Sequence, residues 1–512
     1  VPRITRTSLN AYGLAAAAGV VLALALPGPA LWPLVLAVPG LLAAALGGRS
    51  GWAAFRVGWF GGLAQWLAAV PWVVIVLHRH GKLPLPLALL ALLLMAGILG
   101  LQWGLAAWAA TRGGARALPW LLPLSLAAVE QLQRLPPWIF PWNPVAAVAT
   151  AAPPLMAPLP VLGAAGLSLV MLLAGSAAGE LVRGRRRAGA ALAAVSVGVF
   201  GLAAAVSPRF VPTAEPVRAA AVQPNVPLEV RWDADNLAAI EARVWRLTLT
   251  AAAAGARWIV WPESAIPRYV ERDPEHRRAI ETAAAATGAW LTVGSIGFGA
   301  DGESYYNSVF SFAPGGRVPW RYDKVHLVPF GEYVPLAGRI APLRPLVREV
   351  GSFTPGTSLL PLPGPAGPVG LAVCYEVTYP GLFAAQVVNG AAVLATITND
   401  GWYGDSAAPR QHLALAQLRA AESRRWLVRA ANTGISALVD PYGRVVERLG
   451  MGREGVVSGE VQAGAGVTPA VRHGPALRGG LVALAAAAIL LAGRRRRLAP
   501  SGGRKPLEAR TI

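Results

Sequence analysis

Residues 369–376 read Val-Gly-Leu-Ala-Val-Cys-Tyr-Glu. A short apolar run with β-branched ends reads as a buried strand. Cys374 follows it at once, so the cysteine stands at an exit turn rather than inside the strand. Two other stretches repeat this arrangement. Arg257-Trp-Ile-Val-Trp261 is a strand-like run that ends at Pro262-Glu263, and Trp320-Arg-Tyr-Asp-Lys324 ends on a lysine. α/β folds usually place active groups at the C-terminal ends of strands. Glu263, Lys324 and Cys374 are therefore the first candidates for chemistry.

Around these stretches, residues 217–465 alternate short β-branched runs with Ala-rich helical stretches. That texture predicts an α/β domain of about 250 residues. Strands are expected at 218–223, 257–261, 290–294, 306–312, 320–324, 369–373 and 392–397, and a hairpin is expected around Pro441-Tyr-Gly443. Helices are expected over 233–254, 273–287 and 409–425. Neither a phosphate-binding loop nor a dinucleotide fingerprint is present.

The flanks are different. The chain has 512 residues, 54% hydrophobic and only 14% charged, against about 25% charged in an average soluble domain. Its formal charge is +20. Residues 217–465 hold 23 basic and 22 acidic residues, so the excess lies almost wholly outside them. A nucleic-acid-binding domain would carry its charge on the folded surface, so this distribution argues against one. Apolar runs at 10–27, 30–48, 56–77, 84–109, 117–134, 157–181, 188–206 and 477–493 approach the roughly 20 residues that span a bilayer. Seven spans before the α/β segment and one after it put almost every loop cation on one side, from Arg49 and Arg56 to Arg494–Arg497. That side reads as cytoplasmic, and residues 217–465 then lie on the external face. His78-Arg79-His80 with Lys82 is the exception. A cleaved signal peptide is the alternative reading of the first run. The expected division is a membrane domain over 1–216, a catalytic domain over 217–465, and a last span with a basic tail over 466–512.

Only three of the 46 basic residues are lysines, Lys82, Lys324 and Lys505. A lysine kept in so arginine-rich a chain suggests a need for a compact point charge rather than a planar fork, unless it is a residual surface lysine. Cys374 is the sole cysteine, which excludes an internal disulfide and a Cys-rich metal site. It is either a small buried hydrophobe or a nucleophile. No histidine is obviously placed to be its base, which leaves a carboxylate such as Glu263. Glu263 is either an exposed strand terminus or a buried acid with raised proton affinity.

The combination narrows these alternatives. Trp261-Pro-Glu-Ser264, Asp323-Lys-Val-His-Leu-Val-Pro-Phe-Gly-Glu332 and Val373-Cys-Tyr-Glu376 resemble, in order, the three signature blocks of the nitrilase superfamily. Tyr333-Val-Pro335, Asn399-Asp-Gly-Trp-Tyr-Gly404, Arg429-Ala-Ala-Asn-Thr-Gly434 and Asp440-Pro-Tyr-Gly443 are also typical of it. With its apolar flanks the chain resembles that superfamily's membrane branch, the apolipoprotein N-acyltransferases. The resemblance implies a polytopic α-helical membrane domain of about eight helices carrying a nitrilase-like αββα sandwich on the external face of the bacterial cytoplasmic (inner) membrane. It implies Glu263, Lys324 and Cys374 as the catalytic triad. It also implies Glu332, Tyr375, Glu376 and Trp232 as supporting or substrate-binding residues. The partners implied are a phospholipid acyl donor and a diacylglyceryl-modified apolipoprotein acceptor. No nucleic acid, metal or organic cofactor is implied, and the protein is expected to act as a monomer. An apolar arm is expected over 333–347, and a second lid at Gly401-Trp-Tyr-Gly404. Glu130 and Arg134, four residues apart near the end of a span, are expected to pair with each other or to meet a lipid headgroup. Competing readings are a membrane-tethered amidase for small amides and a non-enzymatic transporter or scaffold.

Overall fold

A computed structural model describes residues 6–135, 140–316, 319–333 and 353–498. Each apolar run becomes helical. The helices are Arg6–Ala25, Gly51–Ala69, Leu85–Thr111, Gly114–Glu130, Leu159–Val182, Arg186–Ala205 and Pro469–Leu498. The run at 30–48 is a tight turn of 3-10 helix, Trp32–Ala37, continuing as the short helix Val38–Ala45. Prolines explain the interruptions, since each lacks an N–H and crowds the preceding turn. Pro33 and Pro39 divide the second run. At Pro71 the third bends by 63° between Gly51–Ala69 and Val73–His80. Among the described residues, four helices are long and apolar enough to cross a membrane, or up to five if the bent pair is one span, against the eight expected. The exposed faces of these helices fit an apolar solvent: Leu87, Leu90, Leu94 and Ile98 line one of them, Val197 and Leu202 another. Packing between helices uses small residues. A Cβ on Gly62 would lie 2.8 Å from Gly100 Cα, so only glycines allow this approach.

The α/β part contains β1 (Val217–Gln223), β2 (Trp258–Val260), β3 (Trp290–Phe298), β4 (Tyr305–Phe312), β5 (Trp320–Asp323), β6 (Val369–Val373), β7 (Val393–Thr398), β8 (Leu427–Ala431), β9 (Ser436–Val439), β10 (Val445–Leu449) and β11 (Gly455–Val461). One sheet has the order β11-β1-β2-β3-β4-β5, the other β10-β9-β8-β7-β6. The parallel pairs are β1–β2, β2–β3, β6–β7 and β7–β8. β8, β11 and the helix Pro380–Val388 were not anticipated as elements; each has little polar alternation because it is covered on both sides or lies at a sheet edge.

The alternation along β1 shows the layering. Ala219 and Ala221 face the second sheet, packing with Trp258, Val373, Ile397 and Val428. Ala220 and Val222 face the opposite way, against Val244 and Leu247 of the helix Leu237–Ala253 and Ile280 of Pro274–Thr287. On the far side of the second sheet, Ala372, Leu394 and Ala437 join Leu382, Phe383, Leu415 and Leu418 of the helices Pro380–Val388 and Ala408–Ser423. That cluster continues without a break into the apolar helices through Trp66, Trp142 and Leu167. The result is an αββα sandwich whose outer helix layer is also the floor of the helical region.

Gln411 closes this seam. Its side-chain oxygen accepts from the indole N–H groups of Trp72 (3.1 Å) and Trp142 (2.8 Å). Its amide donates to the Ala69 carbonyl at 2.9 Å, at the helix end freed by the bend.

Candidate active site

Glu263 lies just past β2. Its Oε1 accepts from Asn307 Nδ2 at 2.7 Å and its Oε2 from the Asn399 N–H at 2.9 Å. Arg231, buried, donates to the carbonyls of Glu263 and Ser264 and fixes the backbone of that turn. Lys324 is the residue after β5 and only 1% exposed. Its ammonium lies 2.9 and 2.8 Å from the two oxygens of Glu332. Glu332 also accepts from Asn307 Nδ2 at 2.9 Å and from the Val328 N–H at 2.8 Å. Glu263, Asn307, Glu332 and Lys324 thus form a continuous hydrogen-bonded chain. Burial alone pushes the Lys324 ammonium down, but the carboxylates of Glu332 and Glu263 and the Cys374 sulfur outweigh it and raise it overall. The lysine stays charged.

Cys374 opens a 3-10 turn, Cys374–Thr378, with φ +53°. A non-glycine residue there is strained and has to be held by its surroundings. Two devices hold it. His412 Nε2 donates to the Cys374 carbonyl at 2.9 Å. His412 Nδ1 lies 2.9 Å from Asp400 Oδ1, and Arg429 donates to Asp400 Oδ2 at 2.7 Å. Burial raises the Asp400 carboxyl, yet Arg429 and His412 win and bring it to about 2. Glu376 is the second device. It accepts from the Val373 N–H (2.8 Å), the Val325 N–H (2.7 Å), the His326 N–H (3.0 Å) and the Tyr322 hydroxyl (3.0 Å). One carboxylate therefore ties the loop after Lys324 to the turn that carries Cys374.

The thiol is buried with both charges bearing on it. Burial, then the Glu263 carboxylate, push Cys374 up to about 12, and Lys324 pulls in the other direction. At rest it is a thiol flanked by a carboxylate able to take its proton and an ammonium able to meet an anion.

Of the other expected residues, Glu332 joins this group and Glu376 lies under it. Tyr375 turns toward the helical region and stacks on Trp142 at 6.3 Å and 13°. Trp232 stays outside, 54% exposed beside Arg231. Glu130 and Arg134 take separate partners: Glu130 accepts from Val145 N (2.8 Å) and Ser168 Oγ (2.9 Å), and Arg134 donates to Gln131 (2.8 Å). At the expected second lid, Tyr403 packs edge-on to Trp72 at 4.9 Å while Trp402 is exposed. The expected arm, beyond Tyr333, lies outside the described residues.

Asn307, Arg231, Asp400, His412 and Arg429 were not singled out as site residues. Asp400 and Arg429 fall inside the blocks 399–404 and 429–434 that resemble the superfamily, with no role attached to either; for Asn307 the signal was only an amide in the run Tyr306-Asn-Ser-Val-Phe. Buried polar groups of this kind need partners, but those partners are remote in the chain.

The carbon–nitrogen hydrolase family model matches residues 218–469. The model of the apolipoprotein N-acyltransferase N-terminal domain matches residues 18–177. The chain is 34% identical to an apolipoprotein N-acyltransferase of Geobacter metallireducens, over 95% of this chain and 96% of that one. It is also 34% identical to one of Azotobacter vinelandii, over 97% and 98%. Among solved structures it is similar to Nit3 of Saccharomyces cerevisiae, a nitrilase-superfamily member, with 16% identity, a TM-score of 0.39, and coverage of 57% of this chain and 97% of that one. Identity at this level along both the apolar helices and the sandwich leaves one assignment: the chain belongs to the apolipoprotein N-acyltransferase family.

Proposed function

We propose that the protein transfers a fatty acyl chain from a membrane phospholipid to the α-amino group of the N-terminal S-diacylglyceryl-cysteine of an apolipoprotein. The observation that carries this reading is the Glu263–Asn307–Glu332–Lys324 chain of hydrogen bonds beside a buried Cys374 thiol. A thiol at about 12 is ionised in only about one molecule in 10⁵ at pH 7. Deprotonation therefore accompanies attack. Glu263 takes the thiol proton as sulfur bonds to the ester carbonyl carbon, and the carbonyl oxygen becomes an oxyanion facing Lys324. When the intermediate collapses, the C–O bond breaks and Glu263 returns the proton to the departing lysophospholipid oxygen. A thioester on Cys374 remains.

The second half reverses the roles. The acceptor α-amine, which titrates near 7.7–8.0 when unperturbed, attacks the thioester as a free amine. Glu263 accepts the proton it loses, the C–S bond breaks, and the proton passes to the Cys374 sulfur. The product is an amide, and the cycle is ping-pong. Glu332 holds the ammonium in place, Glu376 and Tyr375 shape the turn around the nucleophile, and Trp232 handles substrate at the rim.

The finer topology belongs to the same proposal. The chain divides into a membrane domain over 1–216, a catalytic domain over 217–465 and a final span with a cytoplasmic tail over 466–512. Eight crossings place the sandwich on the external, periplasmic face of the cytoplasmic membrane, with the arginine-rich loops inside. The protein works as a monomer.

The test is intact-protein mass spectrometry after incubation with phospholipid alone. One acyl chain should appear on Cys374, persist in buffer, and leave when a diacylglyceryl-cysteinyl peptide is added. The acyl-enzyme mechanism is refuted if no adduct forms while acceptor is still acylated, and the transferase reading fails if water discharges the adduct as fast as the peptide does.

A further inference from the structure

A cavity lies away from the triad, where the ends of the apolar helices meet the sandwich. It has a volume of about 280 Å³, near the lower end of ligand-sized pockets at about 300 Å³. Its walls come from the end of the Gly114–Arg134 stretch, the starts of Leu159–Val182 and Pro469–Leu498, and the helix Pro380–Val388. Arg134, Arg472 and Arg478 line it against one carboxylate, Glu422, with Leu162 and Leu477 among the apolar walls.

Glu422 is already engaged. It accepts from the Ala164 N–H at 2.7 Å, which the kink at Gly163 (φ +61°) frees, and it pairs with Arg419 at 3.3 Å. Arg419 is buried, and its Nε and Nη1 have no partner among the described residues; nor does the buried Nε of Arg134. Arg134 sits within electrostatic reach of both Arg419 and Arg478. Three guanidinium groups thus line the cavity with one carboxylate, Arg419 lies beyond the lining paired to that carboxylate, and the Nε of Arg134 is left over. Unpaired buried donors and mutually repelling cations are costly unless an anion meets them.

We propose that this cavity binds the phosphate of an anionic lipid headgroup, as a site separate from the acyl-donor position at Cys374. Guanidinium forks match phosphate oxygens, and the apolar walls suit the adjoining glycerol. The helix Pro380–Val388 that lines the cavity follows directly from the turn carrying Cys374, so an occupant braces that turn from behind.

The test uses the full-length protein in neutral detergent and native mass spectrometry. The probe is ether-linked phosphatidylglycerol, which cannot donate an acyl chain, so the outcome does not depend on the transferase reading. Wild type should retain one such lipid at least tenfold more tightly than ether-linked phosphatidylcholine. Arg472→Gln/Arg478→Gln should lose that preference, whereas Arg186→Gln/Arg187→Gln, with equal charge loss elsewhere, should keep it. The exposed Arg472→Gln alone, with an unchanged melting temperature, covers the case of a misfolded double variant and should weaken binding severalfold. Displacement of the lipid by millimolar inorganic phosphate would identify a free oxyanion as the ligand instead of a headgroup. Equal retention by wild type and both cavity variants overturns the proposal.

Discussion

Lys324→Met separates what the buried lysine does for folding from what it does for chemistry. Methionine keeps the length and apolar stem and deletes only the ammonium. Glu332 would then keep the Asn307 amide and the Val328 N–H but lose the charge 2.8 Å away. Removing one partner of a buried pair costs about 3–5 kcal/mol, because the other charge is left uncompensated. The loss of an oxyanion-stabilising donor should slow acylation about 10²–10³-fold. Adding Glu332→Gln removes the stranded charge, so the double variant should regain at least ~2 kcal/mol of stability while acylation stays slow. Thermal unfolding in detergent gives the first quantity, and the rate of acyl-adduct formation by mass spectrometry gives the second. If stability and acylation recover together in the double variant, the slow chemistry came from disruption and the oxyanion role is wrong. An unchanged melting temperature in the single variant would refute the charge-pair argument.

Other consequences can be checked separately. Glu263→Gln removes the carboxylate that helps hold the Cys374 thiol near 12, so the thiol titrates lower. Alkylation of Cys374 by iodoacetamide at pH 8.5 should become faster than in wild type while acylation by phospholipid falls at least 100-fold; parallel slowing of both would contradict the base role. Asp400→Asn leaves Arg429 buried against a neutral partner and should cost about 3–5 kcal/mol in denaturant unfolding. Because Asp400 is held near 2, wild-type stability from this pair should persist from neutral pH through the ordinary carboxylate range, near 4, and fade as pH falls toward 2; the variant should lack that acid dependence. Gln411→Leu strands the indole N–H groups of Trp72 and Trp142 and should lower stability by about 1–3 kcal/mol per stranded group, measured as an earlier unfolding of the seam by hydrogen exchange.

The strand-end logic picked out Glu263, Lys324 and Cys374 as candidates because each stands at or just after the end of a strand-like run, which is a local pattern. Glu332 came with the family resemblance, eight residues beyond its lysine. Asn307 was not legible: it sits inside a strand, and its meaning comes from two carboxylates 44 and 25 residues away. His412 was passed over as one helix residue among many, since nothing local shows its bond to a carbonyl 38 residues earlier. Hydropathy found the apolar runs, but hydropathy alone does not register how Pro33, Pro39 and Pro71 divide the backbone into shorter helices. The outward position of Trp232 was equally invisible, since exposure is a property of the finished fold.

The helix Ala408–Ser423 is buried at every position but Arg410, with the sheet on one side and the apolar helices on the other. A helix enclosed all round has no face prepared for water. Excising residues 217–465 as a soluble fragment would strip one of its two coverings and lay bare a greasy surface bearing Leu415 and Leu418. Such a fragment should aggregate rather than behave as a stand-alone hydrolase. The two halves are in this sense not separable modules, since neither has a finished exterior of its own.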